Sequence, residues 1–149
     1  RGNEVPRLKQ RIIDEQIANV QIIDPMPKQD LADVLATADL GLMTVAPIDV
    51  LEWNCANKYF DYLAAGLPVV LNYQGWQAKI LQEHDAGLSA AMNDQAGFTA
   101  AIARLIDDAD ARCRMGANAR VAAEQCYSRP ILVKPILDTL ARLAAASNR

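Results

Sequence analysis

The chain is poor in aromatic residues, at 5% of its 149 positions, has one histidine and three cysteines, and contains no apolar run near the roughly 18 residues of a membrane-spanning helix. Each shortage removes a class of function. Cys55, Cys113 and Cys126 are an odd set without a Cys-x-x-Cys pair, and His84 alone cannot complete a tetrahedral ligand set. Neither a metal site nor a disulfide framework is expected; the thiols read as free in a reducing cytoplasm. Against 15 basic groups stand 18 acidic ones, and a net charge of -3 provides no field for drawing in nucleic acid or an anionic bilayer. No Gly-rich loop ending in Lys-Ser/Thr and no Gly-x-Gly-x-x-Gly after a strand is present, which argues against a nucleoside triphosphatase or a dinucleotide-dependent dehydrogenase. The opening Arg1-Gly2-Asn3-Glu4 has neither an initiator methionine nor the regions of a signal peptide, so a piece of a longer protein is expected.

What the chain has in quantity is apolar residues, 52%, with alanine filling about a sixth of all positions. Helices that pack closely on small side chains follow from that. Leu8, Ile12 and Ile17 after Pro6 predict a helix near residues 6 to 18, and Asn19-Val20-Gln21-Ile22-Ile23 a short strand stopped by Asp24-Pro25-Met26-Pro27. Asp30 is expected to cap a second helix over Leu31–Ala38. Leu40–Val45 reads as a strand apolar on both faces. Asn57–Ala65 reads as a third helix, closed by Gly66, before a strand over Pro68–Leu71. Gly75 introduces a fourth helix that Gly87 is expected to end, and Leu88–Ala91 is a weak fourth strand. Beyond Asp94 the pattern is helical: one helix through Phe98 and Leu105, a second from near Asp108, and an amphipathic last helix in which Pro135 marks a kink or the true start. Helix and strand alternating over such short connections predict an α/β, Rossmann-like, doubly wound parallel sheet with C-terminal helices.

Ligands of open parallel sheets gather outside the carboxyl ends of the strands. The loop from Val45 to Asn57 is the richest there in polar groups, with Asp49, Glu52, Asn54, Asn57 and Lys58. Asn57 and Lys58 begin a helix, where unpaired N–H groups and the helix dipole favour an anion such as phosphate. Asp61 stands one turn further on. Two readings fit the pair: a surface ion pair worth about 0 to 1 kcal/mol, or an ammonium holding phosphate beside a carboxylate that accepts the vicinal hydroxyls of a ribose.

The run Asn57-Lys58-Tyr59-Phe60-Asp61-Tyr62-Leu63-Ala64-Ala65-Gly66-Leu67-Pro68-Val69-Val70 resembles the signature of family 4 retaining glycosyltransferases of GT-B fold. Gly2-Asn3-Glu4, Asn19–Ile22, Ala38–Leu42 and Leu105–Asp108 with Arg112 and Met115 agree with it in order and spacing, so the resemblance covers nearly the whole chain. It implies that residues 1–149 are the nucleotide-sugar-binding C-terminal domain of such an enzyme, cut at its N-terminal side. The partner implied is a nucleotide diphosphate sugar, most often UDP-linked, used in polysaccharide or lipopolysaccharide synthesis. Met26, in the loop after the second expected element, would frame the base. Ala56, Asn57 and Lys58 would present N–H groups to the diphosphate, and Asp61 would hold the ribose. The family's first acidic residue falls on Trp53, with Glu52 adjacent as a substitute, and Lys79 stands where Glu is common. Neither a cofactor nor a metal is implied.

Catalytic residues are expected outside this piece, because the Arg and Lys that neutralise the leaving diphosphate lie upstream of Gly2 in the family and the acceptor site belongs to a separate N-terminal domain of the same protein. The piece alone is expected to bind nucleotide weakly and not to transfer sugar. A peripheral membrane association of the full-length protein and a homodimer are further expectations, as is marginal stability or self-association of a sheet with an exposed edge. The alternatives are a nucleotide-sugar 2-epimerase of the same fold and a nucleotide-binding module without catalysis.

Overall fold

A computed structural model describes residues 2–147. It divides into two compact units, Arg1–Val34 and Leu35–Arg149. In the first, helix α1 (Val5–Asp14) carries Pro6 in its first turn, where a missing N–H has no helical partner to lose. Gln16, at φ 52°, turns the chain out of the helix. No strand forms at Asn19–Ile23, contrary to expectation, and Val20 and Ile23 are exposed. β-branched residues favour extended backbone, but a strand exists only where a neighbour completes its ladder. Helix α2 (Lys28–Ala36) begins three residues earlier than predicted. Asp30 therefore lies inside the first turn, where its carboxylate faces the positive end of the dipole.

The second unit holds three parallel strands, β1 (Gly41–Met43), β2 (Val69–Leu71) and β3 (Gly87–Ser89), in the order β1-β2-β3 with Gly41 opposite Val69 and Val69 opposite Gly87. Helix α3 (Asn57–Ala64) joins the first two and helix α4 (Trp76–Glu83) the last two. Strand periodicity sorts the core into two faces. Met43, Val69 and Leu71 meet Tyr59 and Leu63 of α3 and Ala78 and Leu81 of α4. Val70 and Leu88 point the other way, toward Phe98 and Leu105 of helix α5 (Gln95–Asp107) and Met115 of helix α6 (Ala109–Cys126). The expected cover on both faces of the first strand is incomplete: α5 packs on β2 and β3, and Leu42 stays 42% exposed.

Gly66 terminates α3 at φ +72°, as the sequence predicts. Directly opposite, a Cβ on Gly116 would come within 2.4 Å of the Gly66 carbonyl, so α3 and α6 touch backbone to backbone, with Ala119 buried beside them. Here the small-residue composition has its use. Gly87, expected to end α4, instead pairs in β3; α4 closes on His84, and Asp85 at φ 47° makes the turn. Aspartate is among the few residues that tolerate that conformation. Asp94 and Asp108 cap α5 and α6 by accepting from Gly97 N and Ala111 N, both at 2.8 Å. Helix α7 (Arg129–Ser147) contains Pro135 in its interior and exposes Ile136, Leu140 and Leu143. Among the described residues no helix is long and apolar enough to cross a membrane.

Candidate functional site

The longest connection of the second unit, from Met43 to Asn57, leaves the carboxyl end of β1. Asn72, just past β2, holds its start: the carboxamide accepts from Val45 N at 2.8 Å and donates to Val45 O at 2.9 Å, adding one side-chain rung beyond the end of the β1–β2 ladder. Beside it a cleft of 240 Å³ opens at the strand ends between Val45, Asn72, Met92, Asp94 and Phe98. Further along, Asp49–Trp53 form a 3₁₀ turn.

Asn54 then ties the turn to α3. Its Oδ1 accepts from Ala56 N at 3.2 Å, its Nδ2 donates to Leu51 O, and its own carbonyl accepts from Trp76 Nε1 at 3.0 Å. Ala56 is the extended residue that starts α3, and no side chain caps the helix there. Of the three N–H groups expected to face a diphosphate, that of Ala56 is therefore engaged inside the chain, by a bond an incoming anion would have to replace. Asn57 and Lys58 are exposed on the first turn, and Asp61 is half-buried one turn later.

The opposite face of α3 is anchored in the core. Tyr59 and Leu63 are fully buried, and the Tyr59 ring meets Phe60 edge-on at 5.3 Å and Trp76 at 6.0 Å. Tyr59 OH donates to Gln77 O at 3.2 Å and Tyr73 OH to Gln77 Oε1. Gln77 is wholly buried and its Nε2 has no partner among the described residues. Leaving that nitrogen unpaired costs about 1–3 kcal/mol, while the Gln77 backbone carbonyl, through Tyr59, ties α4 to α3.

Glu52, on the 3₁₀ turn, is half-buried and accepts from Gln74 N at 3.4 Å, so its carboxylate is directed at the β2–α4 turn. Trp53 beside it is 74% exposed. Between this turn and the flank of α4 lies a cleft of 370 Å³, lined by Glu52, Trp53, Gln74, Trp76 and Lys79. Ala56, Asn57, Lys58 and Asp61 thus share one helix start, with Glu52 on the turn that leads into it. Met26, half-buried between two prolines, belongs to the first unit. Sequence reasoning missed Asn54 as the brace of this site, although an asparagine whose side chain bonds the backbone two residues on is a known turn former. For Asn72 and for the bond from Tyr59 to Gln77 no local signal exists, since each acts across the fold.

Burial pushes the phenols of all four tyrosines above their usual value. Tyr127 and Tyr73 add to the effect at Tyr59, and the neighbouring Asp61 carboxylate adds to it at Tyr62; at Tyr73 a hydrogen bond from Asn54 opposes it. A raised native value means the folded chain keeps protons that the unfolded chain releases from about pH 10. The stabilisation is complete below pH 10 and is lost as pH rises through the native values. Alkaline titration followed at the tyrosinate absorbance should lag that of the urea-unfolded chain, with unfolding setting in above pH 10; coincident curves would contradict the burial of these rings.

The family model described as "Glycosyl transferases group 1" matches residues 1–108. No curated protein matches the chain.

Proposed function

Because the chain belongs to the group 1 glycosyl transferases, whose family model spans more than two thirds of it, we propose that residues 1–149 are the donor-binding part of a retaining enzyme of GT-B fold and family 4 type, using a UDP-linked sugar in polysaccharide or lipopolysaccharide synthesis. The observation that carries this reading is the uncapped start of α3, with Asn57 and Lys58 exposed and Asp61 one turn behind them.

The chemistry follows from charge. A diphosphate brings negative oxygens to N–H groups that the helix leaves unpaired, and Lys58 adds a full positive charge beside them. Asp61 accepts the two ribose hydroxyls, each such bond to a charged acceptor being worth about 1.5–3 kcal/mol. In transfer, the bond between the anomeric carbon and the diphosphate oxygen breaks while an acceptor hydroxyl bonds to that carbon and gives up its proton. The leaving group departs as UDP, and every cationic group on its oxygens favours that departure. Lys58 and the N–H groups of Asn57 and Lys58 are the part of that field carried here; the remaining basic groups and the acceptor site are assigned to other parts of the same protein. Met26, by the family resemblance, is proposed to contact the base.

Titration of the full chain with UDP tests the assignment. Asp61→Ala should weaken binding at least about 10- to 100-fold, the equivalent of one lost ribose bond. Lys58→Ala should weaken it as well and flatten its salt dependence, because the ammonium is the screened charge. If both variants titrate like the parent in folded samples, the pocket is elsewhere.

A further inference from the structure

The polarity of a bound nucleotide sugar is set by the order of groups along α3. With the ribose at Asp61 and the diphosphate at Asn57 and Lys58, the chain of the ligand runs toward the helix start, and its sugar emerges on the side of residues 52–56. Trp53 precedes Ala56 by three residues, at most about 11 Å of extended chain, and faces a 370 Å³ cleft. That volume is at the lower end of small-molecule sites, about 300–1,000 Å³, and suits one ring rather than an oligosaccharide.

The walls also have the composition a pyranose requires. Trp53, 74% exposed, is the most exposed of the large apolar side chains described, an unfavourable place for an indole with nothing to cover it. Trp76, the second indole of the cleft, is held in place by its Nε1 bond to Asn54 O. Lining the same cleft are the Glu52 carboxylate, the Gln74 carboxamide and the Lys79 ammonium, acceptors and donors of the kind a ring's hydroxyls require. A pyranose has the complementary form: a C–H face that packs on an aromatic plane and an edge of hydroxyls.

We infer that Trp53 is the platform for the donor's sugar ring, and that stacking on this indole, with Glu52, Gln74 and Lys79 reading the ring's hydroxyls, sets which hexopyranose the enzyme accepts. The assignment rests on the proposed diphosphate site and extends it by one residue type that the family signature does not have at this position.

The test compares diphosphates with their sugar-bearing forms on the full chain: UDP, GDP and dTDP, then UDP-glucose, UDP-N-acetylglucosamine and their GDP and dTDP counterparts. In the parent, the accepted nucleotide sugar should bind more tightly than its diphosphate. Trp53→Ala should leave the diphosphate's affinity unchanged and remove about tenfold of the sugar-bearing form's, with Trp53→Phe restoring part of it. Because the indole is exposed, folding is not at stake. An equal loss for diphosphate and nucleotide sugar would place the base or ribose on Trp53 and overturn the inference, as would no change in either, or a parent that gains nothing from the sugar. If no diphosphate binds the parent, the site at α3 itself is wrong and the platform falls with it.

Discussion

Truncating Leu63 to alanine should cost about 2–5 kcal/mol of stability, roughly 5–20 °C in Tm for a domain of this size. Leu63 is fully buried on the inner face of α3, against the side of the sheet formed by Met43, Val69 and Leu71. The loss comes from the lost transfer of its methyl groups out of water and from the cavity left between helix and sheet, which the surrounding Tyr59 and Leu81 can only partly fill. Lys58→Ala, on the same helix but facing water, should stay within about 0.5 kcal/mol of the parent. Urea denaturation of both variants checks the pair. A Leu63→Ala midpoint at the parent's value would mean that α3 is not seated as described.

Gly75→Ala should damage the site more than any substitution of an exposed residue. The backbone angle of Gly75, φ -66°, suits any residue, so conformational freedom is not the reason for glycine here. Space is: a Cβ would lie 1.8 Å from the Glu52 carbonyl oxygen and 2.8 Å from its carbon. Both are backbone atoms, and neither can swing away as a side chain would. The 3₁₀ turn must therefore move, taking Trp53 and Asn54 with it and disturbing the brace on Ala56. Overpacking of this kind costs about 1–3 kcal/mol. Displacing site groups by about 1 Å can cost 100-fold in rate, so sugar transfer by the enzyme should drop about 10- to 100-fold. Parent-like kinetics in Gly75→Ala would contradict the contact between the two turns.

Much of this architecture can be read from residue order, for reasons that differ element by element. The stretch from Asn57 through Gly66 to Leu71 is legible because its signals are local: a helix start, an apolar stripe through Tyr59 and Leu63, a residue at φ +72° that only glycine adopts cheaply, and a proline leading into β-branched residues. The same holds for the aspartate caps of α5 and α6. Asn19–Ile23 misleads because strand propensity is a preference for a pleated, partnered surface, and the sequence cannot supply the partner. Leu42 misleads similarly: its apolar character is plain, but whether a helix reaches over it depends on where α5 settles. At the site, Asn57, Lys58 and Asp61 are legible as one face of one helix. The brace through Asn54 and Trp76, 22 positions apart, and the bond from Tyr59 to the Gln77 carbonyl appear only when α4 is laid beside α3.

The rung made by Asn72 carries a mechanical implication. Main-chain bonds of a parallel ladder are released only by parting strands, which would loosen the core on both sides of the sheet. A carboxamide that imitates a peptide group can swing away by rotating about its own χ angles, leaving Gly41–Met43 and Val69–Leu71 paired. The stretch beginning at Val45 is thus fastened by a latch outside the ladder, and its departure from the strand ends involves two hydrogen bonds and the packing of Val45 on the core while the strands stay paired.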